Sequence, residues 1–235
     1  MFRGDHDDLR RTVGRALAMA RDLGHPRAGS EHLLLALTAT GHPVGATLDR
    51  HGATEAAIRE VVRRAAPLGA GAAADRDTLA PLGIDVDAIL SRLSPTTLDR
   101  ATAPEPLLPF GAARARRRCA RSSPPLGLDA QAAYEASLRL ALARRDREHR
   151  PEHLALALVA LDPGAAWALS AAGVDTPALL ADLADTFPPP SRNPLLRAER
   201  RIGQRSRGHD LVRRYQRTTG RTATSAGTVA ALITG

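Results

Sequence analysis

The chain contains no lysine: all 33 of its basic side chains are arginine. A GC-rich genome that disfavours lysine codons produces that pattern, and so does avoidance of lysine-directed tagging or acetylation. Cysteine is nearly as scarce, and the single Cys119 excludes an internal disulfide and a thiolate metal site. Aromatic residues are few, limited to Phe2, Phe110, Phe187, Trp167, Tyr134 and Tyr215. Ala and Leu supply the apolar content instead, which favours close-packed helices over sheet. No segment reaches transmembrane length, and no apolar stretch follows Met1-Phe2-Arg3-Gly4-Asp5. A soluble, cytoplasmic, all-α protein without membrane contact is the expectation.

The formal charge of +8 suits a nucleic-acid partner, but it is unevenly spread. It concentrates between Arg114 and Arg121 and from Arg192 onward, outside the segments that carry regular periodicity.

Those segments contain an echo. Glu31-His32-Leu33-Leu34-Leu35-Ala36-Leu37 recurs as Glu152-His153-Leu154-Ala155-Leu156-Ala157-Leu158, and a glycine, Gly52 or Gly173, follows each glutamate by 21 residues. A fixed offset marks an internal repeat. In the first copy Leu9, Val13, Ala16, Leu17, Ala20 and Leu23 form one face of a helix over about residues 6–23, which Gly24 ends. Ser30 reads as the N-cap of a second helix, with Glu31 suited to its positive end. A short third helix precedes Gly52, and Thr54 caps a fourth with Ile58, Val61 and Val62 inward. The second copy follows the same plan, with Pro151 and Pro163 in first-turn positions.

These signals divide the chain into a first repeat over 1–65, an insert or linker over 66–125, a degenerate second repeat over 126–187 and a basic, partly disordered tail over 188–235. Within the insert, Leu79, Gly83, Ile89 and Leu93 echo Leu48, Gly52, Ile58 and Val62, which is either an orphan half-unit at 77–93 or a helix with a glycine before it. The stretch Gly69 to Ala74 ahead of it is only Ala and Gly, and Ser94 to Pro125 reads as linker.

Leu23-Gly24-His25 followed by Ser30-Glu31-His32-Leu33-Leu34-Leu35-Ala36-Leu37 resembles the N-terminal domain of Clp/Hsp100 ATPases. The resemblance covers about residues 1–65 and 126–187, and it implies a tandem, pseudo-twofold pair of four-helix repeats. The second copy departs from the pattern, with Arg145-Asp146 and Arg150-Pro151 at motif positions. The family's ATPase modules are missing: without lysine there is no Gly-x4-Gly-Lys-[Ser/Thr] phosphate cradle. What the resemblance implies is a chaperone-related, non-enzymatic bacterial protein that binds proteins or peptides in the regulation of proteolysis. Its partners would be a Clp ATPase, that machine's substrates or its adaptors.

In the ClpC branch the motif glutamates take the guanidinium of phosphorylated arginine, and a threonine near each repeat's start takes the phosphate. Glu31 and Glu152 match the glutamates; His6 and Gly127 stand at the threonine positions. Against that reading stands a plainer one, in which Glu31 stabilises its own helix start with His32 beside it. Phe2 matches a position at which cyclic peptides bind the family, although Leu126 replaces the second aromatic. No catalytic constellation, cofactor signature or pair of metal ligands one turn apart is present. The tail patch Arg200, Arg201, Arg205, Arg213 and Arg214 suits an acidic protein surface, plain solvation or, as the alternative function, nucleic acid. Because the first copy keeps the family motif better, the first half is the expected place of a working site.

Overall fold

The computed structural model describes residues 3–39, 41–92 and 123–189; Phe2, Cys119 and the tail patch Arg200, Arg201, Arg205, Arg213 and Arg214 lie outside them. Of the described residues 71% are helical, and none forms an extended strand. The order is α1 (Asp7–Asp22), α2 (Ser30–Thr38), α3 (Pro43–Arg50), α4 (Glu55–Ala65), α5 (Ala70–Leu79), a short 3-10 turn (Ala80–Leu82) and α6 (Val86–Arg92). After the break come α7 (Leu128–Ala143), α8 (Pro151–Leu161), α9 (Pro163–Ala171) and α10 (Thr176–Thr186).

Local chemistry accounts for most boundaries. In α1, Asp7 and Asp8 sit at the positive end and Arg21 at the negative end, while Leu9, Ala16 and Ala20 are buried. Gly24, at φ +71°, turns the chain out of it. Thr54 caps α4 as its position suggests, its Oγ1 accepting the Ala57 N–H at 3.2 Å. Thr54→Ala is expected to cost about 1 kcal/mol, read as a lower denaturant midpoint; an unchanged midpoint would remove the cap from the list of stabilising contacts.

Ser30 is not an N-cap. Gly29 occupies that position and Ser30 is already helical. The group that satisfies the Ser30 N–H comes from the other half of the molecule, where Asp129 Oδ2 accepts it at 2.8 Å.

The two motif helices form the centre. Leu33, Leu34, Leu35, Ala36 and Leu37 of α2 and Leu154, Ala155, Ala157 and Leu158 of α8 are all essentially inaccessible. A helix enclosed on every side needs apolar residues all round, which explains why these segments show runs of Leu and Ala instead of a stripe. Residues of both halves join one continuous core, with α2 and α8 in contact.

The halves are also crossed at their edges. Asp5 forms a parallel bridge with His149, and Ala28 forms one with Leu126. The His6 N–H donates to the His149 carbonyl at 2.8 Å, and the Gly127 N–H donates to the Ala28 carbonyl at 2.9 Å. Adding 121 to 5 gives 126 and subtracting it from 149 gives 28, so the two rungs are related by the same offset as the motif glutamates. Each half's leading segment is thus held by the other half.

The insert is more ordered than its composition suggests. Gly69 to Ala74 opens α5: alanine has the highest helix propensity, and Gly69, at φ +91°, supplies the turn that starts it. Ala70, Ala73 and Ala74 are buried, chiefly against α9. Arg76 grips Asp87 with two bonds of 3.0 and 2.6 Å and ties α5 to α6. No single described helix is long and apolar enough to cross a membrane; α8 with α9 passes by length and composition but bends by 82°.

Candidate functional site

The site lies where the start of each motif helix meets the opposite half. His32 Nδ1 accepts the Gly29 N–H at 3.0 Å. That leaves the ring proton on Nε2, which faces His25 Nδ1 at 2.9 Å. In the second copy His153 Nδ1 accepts the Arg150 N–H at 3.1 Å, and its Nε2 faces Asp146 Oδ2 at 2.7 Å. Asp146 stands where the first copy has His25. The motif histidine is therefore a fastener of its helix start, able to use either a histidine or a carboxylate as its second partner. His25, Glu31 and His32 bring metal-type donor atoms within 4.8 Å of one another. Their geometry is already accounted for by this fastening.

The glutamates do something else. Glu31 is 2% exposed. Its Oε1 stands 3.1 Å from His32 Nδ1, whose lone pair is occupied by Gly29, and its Oε2 is buried without a hydrogen-bond partner. Two glycines make room for the carboxylate: a Cβ on Gly29 would lie 2.3 Å from Oε2, and one on Gly69 would lie 3.1 Å from Oε1. Glu31 thus does not cap its helix; His32 ties the helix start down.

Two further carboxylates share this region. Asp129, at the start of α7, is pushed up in pKa by burial and then by the charge of Glu31. Asp162 caps α9, accepting the Ala165 N–H at 2.7 Å. Burial raises Asp162 to about 6, and the charges of Asp129 and Glu31 act in the same direction. Neither aspartate carries a motif signature, although Asp162 before Pro163 has the form of a helix cap.

The second copy reproduces the glutamate but not its enclosure. Glu152 Oε2 is also buried without a hydrogen-bond partner, with His42 Nε2 3.8 Å away. Its side chain keeps 15% exposure against 3% for Glu31. Pro151 replaces Ser30 and has no N–H to offer, so Asp8, the counterpart of Asp129, turns to Arg11 instead. Beside Pro151 opens a cleft of about 310 Å³, lined by Asp8, Arg11, Arg15, His42 and Pro43. His42 caps α3 through Nδ1, which accepts the Val44 N–H at 3.2 Å, so its Nε2 proton faces Glu152.

His6 serves as the N-cap of α1, accepting the Asp8 N–H at 3.2 Å, with Nε2 4.0 Å from Glu148. Gly127, its counterpart, leaves room for the Asp129 carboxylate, whose Oδ1 would be 2.4 Å from a Cβ there. The open cleft thus lies in the seam at the second motif, and the better-kept first motif is the enclosed one. No protein-family model matches the chain, and no curated protein matches it.

Proposed function

We propose that the chain is a motorless relative of the Clp N-terminal domain, a non-enzymatic cytoplasmic protein that binds proteins or peptides. It acts as an adaptor for a ClpC-type ATPase-protease, or as a decoy that competes for its clients and sequesters toxic or antibiotic peptides. The observation that carries this reading is the pair of glutamates 121 residues apart, each with a buried carboxylate oxygen lacking a hydrogen-bond partner. A buried unpaired carboxylate oxygen destabilises a fold, and its presence at both equivalent positions suits a ligand that brings its own donors. A guanidinium matches a carboxylate in charge and in geometry.

The cleft beside Pro151, whose His42 Nε2 stands 3.8 Å from Glu152 Oε2, offers partners for an anionic group. Arg11, Arg15 and His42 line it where neither His6 nor Gly127 supplies the family's threonine hydroxyl. A ligand with guanidinium and phosphate together, as in phosphoarginine, is answered on both sides.

Calorimetric titration of the full chain with phosphoarginine tests the reading. Saturable binding is expected, weakened at least tenfold by Glu152→Gln, which is about 1.4 kcal/mol. Absence of binding heat, or equal affinity in the variant, would remove the glutamates from the mechanism. Pull-down from a lysate is expected to recover a Clp ATPase, an adaptor or a Clp substrate; recovery of none would defeat the adaptor and decoy roles.

A further inference from the structure

The offset of 121 residues that relates the two rungs also relates two clefts, and among the described residues one is open and the other filled. Shifted by it, the cleft-lining residues Asp8, Arg11, Arg15, His42, Pro43 and Pro151 become Asp129, Ala132, Ala136, Pro163, Gly164 and Ser30. At Gly164 and Asp129 the start of α5 lies in place of solvent. A Cβ on Gly164 would be 2.9 Å from the Gly71 backbone nitrogen, so the starts of α5 and α9 meet backbone to backbone. Gly69 stands against Glu31, Ala70 is wholly buried, and Trp167 Nε1 donates to Asp77 Oδ2 at 2.7 Å, fastening α5 farther along.

The side chains explain why one cleft closes and its twin does not. Arg11, Arg15, His42 and Pro43 furnish the open cleft, whereas Ala132, Ala136, Pro163 and Gly164 leave space for a backbone. Gly69 and Gly71 make α5 equally slim where it enters. Charge fits as well: α5 brings the positive end of its helix to a region holding Glu31, Asp129 and Asp162. That fit is partial, because Glu31 Oε2 is still without a donor.

We propose that α5 is a built-in occupant of the Glu31 cleft, leaving open the cleft beside Pro151, whose His42 faces Glu152 at 3.8 Å, and that a guanidinium-bearing ligand reaches Glu31 only when α5 is displaced. This rests on the reading of the glutamates as ligand carboxylates given above. The site is then single-valued with α5 docked and double-valued with α5 released. Among the described residues, a segment that follows the first half makes the difference.

The test counts phosphoarginine molecules bound per full-length chain by calorimetry. One is expected in the native protein, lost in Glu152→Gln. Ala70→Glu, which puts a carboxylate among carboxylates, is expected to release α5 and raise the count to two, with the added site lost again in Ala70→Glu combined with Glu31→Gln. Trp167→Phe removes the tether to Asp77 while keeping an aromatic ring, and is expected to lift the count above one should Ala70→Glu lose its helical circular dichroism. Two molecules bound by the native chain, or a count of one in folded variants with α5 released, would overturn the plug and leave the function standing. No binding by any of these proteins would overturn the reading of the glutamates as ligand carboxylates and the plug with it.

Discussion

Leu33→Ala is expected to cost about 2–5 kcal/mol and to shift the unfolding of the opposite half by the same amount as its own. Leu33 is 1% exposed and belongs to a core that also contains Leu154, Leu158 and Leu169 of the second half. Truncation leaves a cavity that a close-packed centre cannot collapse to fill. Trp167, the chain's one tryptophan, lies on α9 in the half that carries no substitution. Denaturant unfolding followed by Trp167 fluorescence and by far-ultraviolet circular dichroism is expected to give one shared, lowered midpoint. A Trp167 transition that stays at its native midpoint while helicity is lost earlier would mean that the halves fold separately.

Asp162→Asn is expected to stabilise the protein by about 2–3 kcal/mol at pH 7.5 and by almost nothing near pH 4. Burial, aided by Asp129 and Glu31, raises the Asp162 carboxyl from 3.8 to about 6. Each unit is about 1.4 kcal/mol of difference between the protonation states. A raised carboxyl favours the fold while protonated, below its unfolded value of 3.8, and loses that advantage as pH rises toward about 6. Above that, the native protein bears a buried charge that asparagine does not have. Asparagine still accepts the Ala165 N–H, so the α9 cap survives the change. Buried histidines such as His149 also titrate, but they are common to both proteins and cancel in the difference. Stability curves for the pair between pH 4 and 7.5 check this; a gain that does not change with pH would show that Asp162 is ionised throughout.

The eight helices of the two echoing segments were legible because they rest on local signals: apolar spacing in α1 and α4, glycines at Gly24, Gly52 and Gly173, and Thr54 before α4. What stayed hidden depends on contacts between distant residues. Ser30 looks like a cap from its neighbours, yet its N–H is satisfied by Asp129, 99 residues away. Gly69 to Ala74 reads as a spacer because its low hydrophobicity gives no stripe, and α5 forms where those small side chains let it lie on α9. The choice of half turned on the same point. Motif quality favoured Glu31, but its enclosure by Gly29 and Gly69 is invisible until the chain is folded. The echo singled out Glu31 and Glu152, the family resemblance implied their ligand role, and the structure adds the unpartnered oxygens.

The crossed rungs also decide how the molecule bears force. A pull applied at residue 3 loads the Arg3 N–H bond to the Arg147 carbonyl at 2.7 Å and then the Asp5–His149 rung, both of which join it to the far half. A pull at residue 189 loads α10, whose Asp182 holds Arg50 at 2.9 Å and His51 at 3.0 Å, again across the seam. Tension from either side is therefore met by bonds that cross the seam, as shear between the halves. A motor that threads polypeptides, gripping either side, meets that seam first.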